Sequence, residues 1–144
     1  MSAKECILEE IKTFPGQSGI YYQNLETGET WGYGEKDHYL AASIVKLPLM
    51  AAILLWKSRG ETSFDDTVTI RENQKIPGCG AVQFLNGDVT LTVGELCKLM
   101  IVISDSCATN ALFRHYGAAA IHDAFLELGL IGTQFNREYW DEER

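Results

Sequence analysis

The feature that most constrains this chain is where its strand-forming and helix-forming stretches fall. β-Rich runs lie almost entirely in the first third, and nearly everything after Ser43 carries helical periodicity. Residues 19–25 read as one strand, 26–29 as a turn, and 30–34 as the returning strand of a hairpin. Residues 4–14 precede them as an amphipathic helix with Ile7, Leu8 and Ile11 on one face, stopped by Pro15-Gly16. Two strands alone are marginal in water. The hairpin therefore either lies on the helices or needs strands from sequence absent here.

The helical part is read in four pieces. The first runs from Ser43 to about Ser58 and ends at Arg59-Gly60. Residues 67–70 are a short strand at best, and 76–80 a loop. Thr92 and Glu95 are spaced as a capping box, with Leu91 and Leu96 placed for the hydrophobic staple. That helix continues through Leu99, Met100 and Val102, is apolar on most faces, and is expected to be central. Residues 106–116 and 118–128 read as two further helices, each followed by glycine. The expected fold class is α/β (α+β), one domain over 1–144, with a helix and hairpin in 1–40 and a mainly helical region in 41–144.

Composition excludes several functions. Lys and Arg total 12 against 20 Asp and Glu, a net charge of -8 with no basic run, which argues against nucleic acid. The longest apolar stretch, 47–56, is far shorter than the ~20 residues of a membrane helix. No signal peptide is visible in the opening residues, so the chain as read is cytoplasmic. Cys6, Cys79, Cys97 and Cys107 form no C-x-x-C pair and are expected to be free, mostly buried thiols, Cys107 among them in a packing role. His38, His115 and His122 show no ligand spacing, so no metal or other cofactor is expected.

Chemistry enters at Ser43-Ile44-Val45-Lys46. Residues i and i+3 at a helix start share a face, so the hydroxyl and the amine can meet. A serine hydroxyl is a weak nucleophile until a base takes its proton. Lysine serves as that base only when its pKa falls, and an apolar wall of Leu47, Leu49 and Met50 would lower it. Helix N-terminal amides would supply half of an oxyanion hole. Alone the motif is weak, because a capping serine followed by a surface lysine looks the same. Here, however, Lys46 is the only charge between Tyr39 and Trp56, and Pro48 sits in the first turns, near where proline is tolerated. The second feature is Ser104-Asp105-Ser106, at the end of the apolar helix. A hydroxyl there can relay a proton to a leaving nitrogen. Equally, Asp105 or Ser104 caps the helix that begins near Ser106.

Together these segments resemble a family. The stretch Ala41-Ala42-Ser43-Ile44-Val45-Lys46-Leu47-Pro48 is similar to the nucleophile helix of class A β-lactamases. Pro77-Gly78-Cys79-Gly80 is similar to the loop between the motifs, and residues 91–106 to the second-motif helix. S-x-x-K with S-D-N and K-T-G marks these enzymes and the penicillin-binding proteins. The resemblance covers roughly Ser18 to Arg137. It implies a β-lactamase/DD-peptidase-like fold and an acyl-enzyme formed at Ser43 on a β-lactam or acyl-D-alanyl-D-alanine carbonyl. Lys46 would be base or relay, Ser104 would pass a proton to the leaving amine, Asp105 would hold the loop, and the Ser43 amide would donate to the oxyanion. It also implies export from the cytoplasm.

Three departures matter. Ser106 stands where the family's substrate-binding Asn belongs. Alignment on Thr133 and Arg137 puts Tyr139 where β-lactamases carry the deacylating Glu, with Glu138, Asp141, Glu142 and Glu143 nearby but out of register. Without that Glu the acyl-enzyme would persist. No Lys-Thr-Gly or Lys-Ser-Gly follows. These residues alone are accordingly expected to read as a truncated domain with little turnover, a C-terminal segment being supplied by a second chain or fragment. The main alternatives are a penicillin-binding or D-alanyl-D-alanine peptidase-like protein and a non-catalytic module for β-lactams or cell-wall peptides. A helical interaction domain in which Ser43 and Lys46 are incidental is a third.

Overall fold

A computed structural model describes residues 2–140. They fall into two compact units that divide between Leu40 and Ala41. The first holds α1 (Ala3–Thr13), β1 (Ile20–Gln23) and β2 (Thr30–Tyr33). Ser2 and Glu5 form a capping box on α1 that the sequence reading missed. The strands pair antiparallel with Tyr22 opposite Trp31, whose rings stack 5.8 Å apart. Asn24 makes the turn by accepting from the amides of Glu26 (2.9 Å) and Thr27 (3.1 Å). None of the described residues up to Leu40 is buried.

The second unit contains the core. It runs α2 (Lys46–Ser58), β3 (Thr67–Ile70), β4 (Val89–Thr92), α3 (Val93–Val102), α4 (Ser106–Tyr116) and α5 (Ala118–Glu127). Leu49 and Ile53 of α2, Leu96 and Met100 of α3, Leu112 of α4, and Ile121 and Phe125 of α5 are all fully buried together. Side chains of this size each contribute about 1.5–3 kcal/mol on burial.

Two expectations change here. The region after Ser43 is not purely helical, because β3 and β4 form a second antiparallel ribbon, with Val68 opposite Leu91 and Ile70 opposite Val89. The sequence hid β4 because its last residue is also the N-cap of α3: Thr92 accepts from the Glu95 amide at 3.1 Å, and Glu95 accepts from the Thr92 amide at 2.8 Å. Strand pairing and capping share one residue. The first helix of this unit also starts later than expected. Ser43 lies in a 3₁₀ turn, Ala42–Val45, and Lys46 is the first residue of α2. A three-residue turn eclipses i with i+3, so it brings Ser43 and Lys46 together more directly than an α-helix would.

Of the cysteines, Cys97 and Cys107 are buried but Cys6 and Cys79 are exposed, and all four are free thiols, so only half of them behave as core residues. No helix among the described residues is long and apolar enough to cross a membrane. Asp141, Glu142 and Glu143 lie outside the described residues.

Candidate active site

The 3₁₀ turn before α2 and the α3–α4 link meet at three side chains. Ser43 Oγ and Ser104 Oγ lie 2.9 Å apart. Lys46 Nζ is 3.3 Å from Ser43 Oγ, 2.8 Å from Ser104 Oγ and 2.7 Å from the Ser104 carbonyl oxygen. As an ammonium, Lys46 donates to all three, which satisfies its three N–H groups although the residue is only 3% exposed. Burial lowers the Lys46 pKa from the ordinary lysine range, while Cys79 and Asp105 pull the other way. A neutral amine at this position keeps a lone pair toward Ser43 Oγ and can take its proton.

Local backbone strain sets the triangle. Ala42 (φ 45°) and Ser104 (φ 57°) are non-glycine residues in the left-handed region, one immediately before Ser43 and the other supplying the second hydroxyl. Each costs on the order of 1–3 kcal/mol and persists only where surrounding contacts enforce it.

Asp105 enforces one of them. It is fully buried and accepts from the amides of Ala81 (2.7 Å), Val82 (3.0 Å) and Ala108 (2.9 Å). It is thus both the N-cap of α4 and the anchor of the loop before residue 83. The loop comes so close that a Cβ on Gly80, at φ 106°, would stand 2.2 Å from the Asp105 carboxyl carbon. Ser106 donates its amide to the Cys79 carbonyl at 2.9 Å, and its hydroxyl faces Gly78. Trp140 borders the same spot, its indole nitrogen 3.4 Å from where a Gly78 Cβ would be.

The wall around Lys46 differs from the sequence expectation. Leu49 is buried, but Leu47 is exposed, because it points away from the amine on the outer face of α2. Its place is taken by Tyr139, whose ring centroid lies 4.9 Å from Lys46 Nζ. The Tyr139 hydroxyl donates to the Ala42 carbonyl at 2.9 Å. Burial pushes its phenol up from the usual tyrosine range, against a smaller downward pull from a hydrogen bond with Ser43. Asn110, fully buried in α4, fixes the Tyr139 backbone from both sides: it accepts from the Tyr139 amide at 2.8 Å and donates to its carbonyl at 3.1 Å. Sequence reasoning noted Tyr139 only by alignment and missed Asn110. The available signal was an amide side chain in the middle of the buried run Cys107–Phe113, where an unpaired polar group is costly.

Glu138 is committed elsewhere, paired with Arg114. Among the described residues no carboxylate hydrogen-bonds Ser43 or Lys46, and no three His, Cys, Asp or Glu side chains cluster as a metal site. An accessible Ser43 hydroxyl paired with Ser104 beside a buried lysine of depressed pKa is suited to nucleophilic acyl transfer.

Comparison with known proteins converges on one group. A family model described as the β-lactamase enzyme family matches residues 2–143. A β-lactamase of Rhodobacter capsulatus is 30% identical over 120 residues, 83% of this chain and 41% of the relative. A β-lactamase of Streptomyces albus G is 28% identical over 132 residues, 87% of this chain and 41% of the relative. The solved structure of PBP-A superposes with a TM-score of 0.87 at 28% identity, over 96% of this chain and 53% of that one. An ancestral class A β-lactamase gives 0.83 at 26% identity, over 94% and 52%. The chain thus spans about two-fifths of the curated relatives' length and about half that of the solved structures.

Proposed function

Since the chain belongs to the β-lactamase enzyme family, we propose that it carries the acylating half of a serine hydrolase site that opens β-lactams through an ester on Ser43. The observation that supports this reading is the closed triangle of Ser43, Lys46 and Ser104, with every side 3.3 Å or shorter.

The reaction follows from the contacts. Neutral Lys46 takes the Ser43 proton as Oγ attacks the lactam carbonyl carbon. The Ser43 amide donates to the developing oxyanion. As the ring C–N bond breaks, Ser104 gives its proton to the leaving nitrogen and is reprotonated by the Lys46 ammonium, 2.8 Å away. The products are an ester on Ser43 and a neutral amine tethered to it. Asp105 holds the loop that presents Ser106, whose hydroxyl would contact the substrate's side-chain amide. A mutant of the structurally similar PBP-A has been solved as an acyl-enzyme with penicillin G, which supports a β-lactam as the small-molecule partner.

A second reading is favoured by one observation. Tyr139 rather than a carboxylate stands beside Ser43, its hydroxyl on the Ala42 carbonyl and in hydrogen bonding with Ser43, its ring over Lys46. A water attacking the ester then lacks a base on that side, as expected of a penicillin-binding or D-alanyl-D-alanine peptidase-like protein whose ester persists.

Labelling of the full-length protein with a fluorescent penicillin tests both. The wild type should become covalently labelled, and Ser43→Ala and Lys46→Ala should not. Slow loss of label supports the second reading and fast loss the first. Labelling that survives in a folded Ser43→Ala variant removes the proposal.

A further inference from the structure

We infer that Tyr139 is a positioning residue for acyl transfer, its hydroxyl pinning the strained turn that presents Ser43 and its ring sealing Lys46 from water. This deepens the acyl-transfer reading and rests on it.

The hydroxyl contact falls where strain is stored. Ala42 is a left-handed alanine directly before the nucleophile, and its carbonyl accepts from Tyr139 at 2.9 Å. Without that bond the turn can relax toward ordinary φ values, which rotates the peptide joined to Ser43. The ring acts separately. Lys46 faces Ser43 and Ser104 on one side, with the charge-favouring Asp105 and Cys79 beyond, while the ring covers it at 4.9 Å. Few routes for water to the amine remain, because Lys46 is 3% exposed. Tyr139 itself cannot drift, since Asn110 grips both its backbone polar groups and Phe135 packs edge-on at 6.2 Å.

The two actions separate by substitution. Tyr139→Phe keeps the ring and loses the hydroxyl's contacts with the Ala42 carbonyl and with Ser43. Tyr139→Ala loses both and lets water reach Lys46, which favours the ammonium by more than the lost cation–π contact did, since burial is the main cause of the lowered pKa. Acylation by a fluorescent penicillin is followed against pH in the full-length protein. In Tyr139→Phe the second-order rate should fall roughly five- to tenfold at every pH with the acid limb in place, the size expected for losing the hydroxyl's hydrogen bonding at the turn. In Tyr139→Ala the acid limb should also move to higher pH. A merely structural role would change thermal stability without moving the limb. NMR titration of the Lys46 side chain in the free protein gives the same comparison with no β-lactam present: its pKa should rise in Tyr139→Ala and stay put in Tyr139→Phe. If Tyr139→Ala does not fold, Tyr139→Val is read in its place. A wild type that is never acylated defeats the acyl-transfer reading and leaves the NMR titration to decide the seal. Wild-type rates in Tyr139→Phe, with an unmoved Lys46 titration in Tyr139→Ala, overturn the inference.

Discussion

Replacing Asp105 isolates the cost of breaking the scaffold behind the site. In Asp105→Ala three amides lose their acceptor at once. Those of Val82 and Ala108 are in buried bonds, whereas that of Ala81 is only part-buried and can be rehydrated. An orphaned buried donor costs about 1–3 kcal/mol, so the substitution should destabilise by about 3–5 kcal/mol, a large part of a typical domain's 5–15. Asp105→Asn is more discriminating. Its carbonyl can serve Ala81 and Val82 only by turning its NH₂ toward the Ala108 amide, which loses the helix cap and opposes two donors. We expect about 2–3 kcal/mol there. Urea unfolding followed by circular dichroism measures both. Asp105→Ala within about 1 kcal/mol of wild type would refute the account of Asp105 as the anchor, since a single orphaned donor already costs that much.

Four further outcomes follow. Only the free amine accepts a proton, so acylation should rise with pH through the Lys46 pKa, with a midpoint below the ordinary lysine value of 10.5; Lys46→Arg should lose the limb and nearly all activity, because guanidinium stays charged. The unfolded chain holds the Lys46 proton more tightly than the fold does, so acidifying from the ordinary lysine value of 10.5 down to the folded pKa should cost stability, levelling off below it, and Lys46→Met should escape this loss, read from unfolding midpoints against pH. A thiol reagent at neutral pH should modify exposed Cys6 and Cys79 and spare Cys97, whose pKa burial pushes to about 11, and Cys107, with all four reacting in urea, as mass spectrometry would show. Gly80→Ala should be far more disruptive than Gly60→Ala, because a Cβ at Gly80 meets Asp105 at 2.2 Å while one at Gly60 meets nothing, and differential scanning calorimetry separates them.

Much of this was legible in the sequence. The helices at 106–116 and 118–128 and the Thr92–Glu95 cap announce themselves by periodicity and by residue types with a local job. The Ser43–Lys46 pair was legible because a lone charge in an apolar run needs a reason. What stayed hidden is non-local. β4 is a strand only because β3 lies beside it. The role of Asp105 depends on a loop more than twenty residues upstream. Tyr139 reaches Ala42 across 97 residues, a contact no spacing rule foretells. The side on which Leu47 falls was misjudged because it directly follows Lys46, and consecutive residues of a helix do not share a face.

The central claim is that the Ser43 hydroxyl is the acylated atom. Intact-mass and peptide-mapping spectrometry after incubation with penicillin G tests it most directly. The full mass of one penicillin G should be added, because the cleaved amine stays tethered, and the adduct should map to the peptide containing Ser43. An adduct on any other residue, or none on a folded full-length protein, would contradict it.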